Sequence, residues 1–594
     1  MRLFIDITPL IWYIYIIINL KELQIIRLIL RSAFRAVCRA EAIINMNYSE
    51  LADVLYPSVQ YTPEQLEEMY PPRKLPEGAG VTRFAPSPTG YVHFGGLYQA
   101  VVDERIAHRS GGVFYLRIED TDQKREIADG IKTIVTALDK VGVHFDEGAD
   151  MNGGHGDYGP YVQSQRKEIY KTYAKKLVSE GKAYPCFCSA DELTAIRAQQ
   201  ESEKADPGYY GKWAVWRDAP IEKIQQKLDA GVPFVLRFRC DDGASPKHKF
   251  KFNDQIKGEV EITENDRDHI IMKSDGTPPY AFAHAIDDHL MRTTHVVRGE
   301  EWLPSLPFHI QLFKALGFKL PKYCHTALVL KLENGNKVKL SKRRHPEAAL
   351  DYYISGGFPN AALRDYILTL LNSNFEEWRA ANPVADADEF PFSTKKMPVS
   401  GSLFDSDKLS DICKTTVSRM SAKAVYDSVC AWAEEYNAPF AALLKKNEQY
   451  ALSILSIGRG GKKPRKDFGQ WSEVKNYVSF FYDGLFCIED SIPDDFAASD
   501  VSGVLKTFAD AYDPADDQNA WFEKIKQTAQ DFGFCPDMKE YKLSPESYKG
   551  SVADVSMFIR VAVTGRLSSP DLYAVMQILG AERVRSRLLS YAVR

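Results

Sequence analysis

Cysteine is scarce in this chain, with nine scattered over 594 residues. That spacing excludes a disulfide framework and fits a reducing, cytoplasmic compartment. A membrane span is also missing. The most apolar stretch, Leu10 to Ile18, is about half the length that crosses a bilayer. Charge of one sign is not in excess: the formal net charge of −5 excludes a bulk polycation, so any contact with nucleic acid must come from local basic patches. There are no internal repeats and no low-complexity tract. Finally, no Gly-x-Gly-x-x-Gly follows the first core strand, which removes the dehydrogenase reading of an α/β pattern.

What is present suits a large soluble protein. The 45% hydrophobic and 26% charged residues supply ample core, and a chain of this length should form three to five domains. Residues 1–45 stand apart. Arg2 and the apolar run imitate a signal peptide, but no small-residue cleavage site follows promptly. Arg27, Arg31, Arg35 and Arg39 would stripe a basic helix suited to a membrane surface. Ordinary soluble sequence begins at Met46, so 1–45 reads as a non-native or disordered extension from a wrong start.

Residues 46–80 read as a lead-in, with Pro71, Pro72 and Pro76 close together. Val81–Phe84 reads as a buried strand and Pro86–Gly90 as its turn. A helix then runs until Gly111-Gly112, a second strand spans 113–118, and a further helix reaches about Leu138. This alternation predicts a parallel doubly wound sheet, Rossmann in type. It breaks after Tyr184. Residues 186–262 read as an α+β insertion, after which α/β signals return at 270–272, 294–298 and 327–330. From about residue 400 helical patterns dominate. Near the end, Ser569 is positioned to cap a helix, Pro570 to open it and Gly580 to end it.

In such a sheet ligands bind where strands end and helices begin. The string Arg-Phe-Ala-Pro-Ser-Pro-Thr-Gly-x-x-His-x-Gly at 83–95 sits there. Gly95 and Gly96 let backbone approach a phosphate at a helix N-terminus, and His93 can donate to phosphate oxygens as charge grows on them. Some 250 residues later, Lys339-Leu340-Ser341-Lys342-Arg343 places three cations and a hydroxyl on a short loop, which suits a departing pyrophosphate. A solvated turn is the alternative, since Asn334-Gly335-Asn336 before it is hairpin-like.

Together these two strings resemble the nucleotide-binding signatures of class I aminoacyl-tRNA synthetases. Their wording is similar to that of the bacterial-type glutamyl-tRNA synthetase family, with Gly96 in place of the second histidine. The resemblance spans about residues 46–594. It implies ATP-dependent ligation of L-glutamate to tRNA(Glu) through a glutamyl-adenylate, with Mg²⁺ accompanying ATP. Catalytic roles fall to His93, Lys339 and Lys342. ATP would meet Pro88, Thr89, Gly90, His93, Gly95, Gly96, Glu301, Trp302, Leu340, Ser341, Lys342 and Arg343.

A carboxylate side chain calls for the bidentate geometry of arginine. Arg83 and Arg298 are the arginines within matched motifs, with Ala85, Ser87 and Tyr280 beside them. His284 stands where the family commonly has asparagine. The family's matching glutamate holds the substrate ammonium, which assigns that contact to Glu119, with a solvated acidic turn as the alternative. Asp287-Asp288-His289 reads as structural, because consecutive residues alternate faces on a strand. Cys186 and Cys188 match part of a zinc site known in some relatives, but no further cysteine comes before Cys240 and four ligands are needed. Zinc is therefore not expected, and no metal ligands are assigned.

The resemblance also implies the division of the chain. Residues 46–185 and 263–335 form two halves of the catalytic core, and 186–262 hold the acceptor end. Residues 336–400 carry the lysine loop and a stem contact, while 401–490 and 491–594 form helical anticodon-binding domains. The densest basic run contains Arg459, Lys462, Lys463, Arg465 and Lys466. It suits phosphate contacts, with a solvated loop nearly as good a reading. A monomer without membrane attachment is expected. Three alternatives remain: an enzyme that also charges tRNA(Gln), a tRNA-modifying glutamyl transferase, and a non-catalytic tRNA-binding derivative. About 200 residues beyond the core argue against the transferase.

Overall fold

The computed structural model describes residues 47–88, 92–121, 130–240 and 248–593. The extension 1–45, and with it Thr89 and Gly90, lies outside the described residues.

Two short helices and three short strands set the frame. The lead-in is not a bare connector. Tyr48–Leu55 and Pro63–Met69 are helices, each with a side-chain N-cap (Asn47 and Thr62), and they pack on the Lys167–Ser179 helix. Strands β1 (Val81–Phe84), β2 (Val113–Leu116) and β3 (Glu147–Gly148) form a parallel sheet in the order β1-β2-β3. All four β1 residues are buried, as a strand covered on both faces requires. The Phe94–Arg109 helix links β1 to β2.

The inserted module has its own antiparallel sheet, β4 (Ala183–Cys186), β5 (Val235–Phe238) and, further on, β8 (Ile270–Met272). Between β5 and β8 lies a hairpin of β6 (Lys249–Asp254) and β7 (Gly258–Thr263). Residues 270–272 therefore do not return to the core sheet. Their pairing with Leu236 and Arg237 draws them into the module.

The core resumes with the Tyr280–Leu290 helix, β9 (His295–Gly299) and β10 (Lys322–Thr326). These two strands are parallel. β9 lies against β1, where the Val81 amide donates to Thr294 Oγ1 at 2.8 Å and the Thr294 amide donates to the Val81 carbonyl at 2.9 Å. The last core strand is thus 322–326, earlier than the apolar run 327–330 suggested. Most of that run belongs to β11 (Val329–Glu333), which turns back as β12 (Asn336–Lys339). Asn334 and Gly335 both have positive φ, 49° and 80°, the geometry of a tight hairpin turn. β13 (Ser402–Phe404) pairs in parallel with β11.

Beyond Ser406 the described residues form helices and 3₁₀ turns. Most buried apolar side chains from Leu51 to Cys413 form one cluster, those from Val417 to Ala592 form another, and Val296, Leu306 and Tyr323 form a small third. The Leu572–Leu579 helix is capped by Asp571, whose carboxylate accepts from the Ala574 amide at 2.8 Å, rather than by Ser569. Gly580 ends it with a φ of 81°. Among the described residues no helix is long and apolar enough to cross a membrane.

Candidate active site

β1 ends at Phe84, and the Phe94–Arg109 helix begins just after His93. His93 is the N-cap of this helix, and its Nδ1 accepts from the Gly96 amide at 3.0 Å. An imidazole nitrogen that accepts carries no proton, so the ring's proton sits on Nε2. Enclosure by the cleft, then Lys342 and Lys339, lower the His93 pKa below its ordinary value. The ring is therefore neutral near pH 7, with an N–H to donate. Glycine at 95 follows from this placement: a Cβ there would stand 3.0 Å from the His93 ring. A Cβ on Gly96 would meet Val92 at 3.2 Å and Phe84 at 3.3 Å.

The lysine loop comes to the same place. Antiparallel bridging of His93 with Ala349, and donation by the Leu350 amide to the Val92 carbonyl, join the segment after the loop to the helix start. Within the loop, buried His345 accepts from the Ser341 amide at 3.0 Å through Nδ1 and meets Glu333 through Nε2. Enclosure lowers the Lys342 pKa.

His93 and Lys342 both line a cavity of about 670 Å³. So do Arg83, Ala85, Ser87, Gly96, Glu119, Tyr280, Arg298, Glu301 and Trp302. An adjoining cavity of about 230 Å³ is lined by His93, Gly95, Glu301, Lys339, Leu340, Ser341 and Lys342. A wider cleft of about 1240 Å³ opens on the other side of Tyr280 and Trp302, toward the inserted module.

The two arginines differ in electrostatic state. Arg83 Nε donates to Asp288 at 3.2 Å, and its Nη1 donates to the Val297 carbonyl at 3.3 Å. Asp288 also receives Arg117 Nη1 at 2.6 Å and lies 2.7 Å from His284 Nδ1. Burial works against the Asp288 charge, but Arg83 and Arg117 outweigh it and hold the carboxyl well below the usual range. Arg298 has no carboxylate among its described partners. Its Nε donates to His325 Nε2 at 3.0 Å, its Nη1 lies 3.5 Å from His309 Nε2, and its buried Nη2 has no described partner. Only 4% of Arg298 is exposed. A buried guanidinium in this state is a strong carboxylate receptor.

Glu119, also at the cavity wall, accepts from Arg117 Nη2 at 3.0 Å. Burial raises its pKa despite Arg117 and Arg83.

Three expected contacts are placed elsewhere. Pro88 is buried and lines neither cavity, within 3.0 Å of where a Cβ on Gly130 would stand. His284 is fully buried behind Tyr280, stacked on it at 5.3 Å, and does not line the cavity. Arg343 is exposed and lines neither cavity. The triplet Asp287-Asp288-His289 lies on a helix, not a strand. Its side chains reach three separate sets of partners: Arg166 and Tyr170, then Arg83 and Arg117, then Glu67.

Cys186 and Cys188 both meet the Tyr209 hydroxyl, at 3.4 and 3.6 Å. Among the described residues no group of three or more His, Cys, Asp or Glu side chains could hold a metal ion.

The basic run is mostly committed within the protein. Arg459 donates to the carbonyls of Leu455, Val417 and Met420. Those bonds tie the Gly458–Arg459 turn to the helices around it. Arg465 pairs with Asp467 at 2.8 Å and Lys466 with Asp411 at 2.9 Å. Lys462 and Lys463 are exposed.

Residues 80–410 match the catalytic-domain model of class I tRNA synthetases (E and Q). The chain belongs to this synthetase family. Residues 545–592 match an anticodon-binding domain model. The glutamate–tRNA ligase of Acetivibrio thermocellus is 48% identical over 544 residues, covering 91% of this chain and 99% of that protein. That of Clostridium perfringens is 44% identical over 548 residues, covering 91% and 100%. Among solved structures, a glutamate tRNA ligase from Elizabethkingia meningosepticum in complex with its amino acid aligns with a TM-score of 0.68. It shares 26% identity and covers 86% of this chain and 99% of that one.

Several cleft residues carried no motif to mark them. Gln99 and Lys273 line the cavity, and Lys273 donates to the Thr121 carbonyl at 3.0 Å. Arg117 had a usable signal, as an arginine two residues before Glu119, but its partner Asp288 is distant in sequence.

Proposed function

We propose that this chain ligates L-glutamate to tRNA(Glu) in two ATP-dependent steps. One observation carries the reading: a single cleft joins a buried, carboxylate-free guanidinium, Arg298, to a helix N-terminus faced by His93 and Lys342. The first feature selects an acidic side chain, and the second suits a polyphosphate.

In the first step the α-carboxylate of glutamate attacks the α-phosphorus of ATP. The bond to the bridging oxygen breaks, and pyrophosphate leaves. The side-chain carboxylate sits on Arg298, with Arg83 alongside, and Glu119 holds the substrate ammonium. His93 Nε2–H donates to a phosphate oxygen as negative charge grows, while Lys342 and Lys339 neutralise the departing pyrophosphate. Mg²⁺ carried on the ATP phosphates would offset part of their charge, beside that supplied by Lys339 and Lys342. In the second step the terminal adenosine hydroxyl of tRNA attacks the acyl carbon and AMP leaves. The chain supplies no nucleophile. Its contribution is positioning and charge stabilisation.

The wide cleft beside Tyr280 and Trp302 suits the acceptor end of tRNA, and the helices after residue 400 suit the anticodon. The eight described cysteines are free, which fits the cytoplasm. Whether tRNA(Gln) is also charged is decided by the same experiment. Purified tRNA isoacceptors are aminoacylated with labelled glutamate by the native protein and by Lys342→Ala. The expected loss of turnover is about 100-fold or more. Unchanged turnover in the variant would refute the role given to the loop, and absence of charging by the native protein would refute the reaction.

A further inference from the structure

We propose that His325 and Asp254 form a positioning relay that aims the Arg298 guanidinium at the side-chain carboxylate of the amino-acid substrate. The inference rests on the reading of Arg298 given above and extends it to residues that never touch the substrate.

The geometry begins with strand register. His325 on β10 is paired with Arg298 on β9, so their side chains are neighbours on one face of a parallel ladder. A guanidinium can only donate, so the 3.0 Å contact from Arg298 Nε makes His325 Nε2 an acceptor. The His325 proton is then on Nδ1, and it donates to Asp254 Oδ2 at 2.7 Å. Both His325 and Asp254 are buried, at 0% and 2% exposure.

Asp254 is itself held in place. Its Oδ1 accepts from the Ile256 and Lys257 amides, each at 2.9 Å, the pattern of an Asx turn. Burial works against its charge, but His325 and those amides outweigh it and hold the carboxyl below its usual value. Burial also lowers the His325 pKa, despite the pull of Asp254, which matches the neutral tautomer set by the hydrogen bonds.

This arrangement has a chemical consequence. Direct pairing with a carboxylate, as at Arg83, would cancel much of the charge a substrate carboxylate needs. A neutral imidazole fixes the guanidinium plane and leaves its charge available. The negative group stands one residue further back. Asp254 ends β6, so the relay also ties the amino-acid pocket to the hairpin of the inserted module. That hairpin is fastened to β10 by the Gln255 amide, which donates to the Tyr323 carbonyl at 2.9 Å.

The test is steady-state aminoacylation, with KM for glutamate and for ATP measured separately, in Arg298→Ala, His325→Ala, His325→Gln and Asp254→Asn. For His325→Ala the KM for glutamate should rise about tenfold or more, because a charge-assisted hydrogen bond is lost. Its KM for ATP should stay within about twofold, and its preference for glutamate over glutamine should narrow. His325→Gln places an amide oxygen near the former Nε2 and should recover most of the loss. Asp254→Asn should fall between.

Equal glutamate KM in His325→Ala and the native protein, with a raised KM in Arg298→Ala, would overturn the relay alone. An unchanged KM in Arg298→Ala would overturn the assignment of Arg298 itself. Parallel loss of kcat and both KM values, without rescue by glutamine, would reduce His325 to a packing role and overturn the relay. Thermal unfolding of each variant accompanies the kinetics.

Discussion

His93 has two separable roles in this structure, and two substitutions divide them. Nδ1 caps the Phe94–Arg109 helix by accepting from Gly96, while Nε2–H faces the cleft. Removing a side-chain cap costs about 1 kcal/mol of stability. Removing a donor aimed at developing oxyanion charge costs about 2.7–4 kcal/mol of transition-state stabilisation, or roughly 10²–10³ in turnover. Asparagine is among the best N-caps, and its side-chain oxygen can replace Nδ1, but nothing in it reaches the Nε2 position. His93→Asn should therefore unfold near the native denaturant midpoint and still lose about 10²–10³ in turnover at saturating ATP and glutamate. His93→Ala should lose as much turnover and about 1 kcal/mol of stability besides. Chemical denaturation and single-turnover adenylate formation read the two effects separately. If His93→Asn keeps turnover within about threefold of native, the donor role is wrong. If it is as unstable as His93→Ala, the capping argument fails.

The remaining predictions concern the supports of the cleft. Asp288→Ala should destabilise by about 3–5 kcal/mol in equilibrium unfolding, because it leaves buried Arg83 without its carboxylate and takes one of two carboxylates from buried Arg117. Stability should fall as pH drops below about 6.5, because buried histidines such as His284, lowered to about 4, take up protons first in the unfolded chain. For His284 the difference from its usual value is worth about 3 kcal/mol once pH passes below 4, and thermal midpoints measured from pH 7 to pH 4 check it. Arg459→Ala should lower the thermal midpoint and leave KM for tRNA unchanged, since its three acceptors are carbonyls of the protein itself. Lys462→Ala with Lys463→Ala should do the reverse, raising KM for tRNA and reducing the salt slope by about 1–2.

What could be read from the sequence followed from range. Elements whose cause is local were legible: β1, the Phe94–Arg109 helix, and the Asn334-Gly335 turn that presents the lysine loop. Their signals are glycines, prolines and apolar spacing within a dozen residues. Elements decided by pairing were not. Residues 270–272 have the composition of a core strand, but antiparallel partners at 236 and 237 recruit them to the inserted module. Likewise 327–330 is the more apolar run, yet register with β9 selects 322–326 as the core strand.

The same distinction runs through the site. A string such as 83–96 announces itself because one short segment must both turn and cap. Arg83 was visible inside that string, but its state was not. Whether a guanidinium is neutralised depends on Asp288, some two hundred residues away, on a helix face that no local pattern reveals. Arg298 and Arg83 look alike in the sequence. The structure separates them: one is paired with a buried carboxylate, and the other is held by imidazoles with its charge unspent. That contrast makes Arg298 the stronger receptor for an acidic substrate and Arg83 chiefly its support. Glutamate KM should therefore rise more in Arg298→Ala than in Arg83→Ala, while loss of stability should be greater in Arg83→Ala, where Asp288 loses one of its two arginine partners. The opposite ranking of the two KM values would contradict the electrostatic argument.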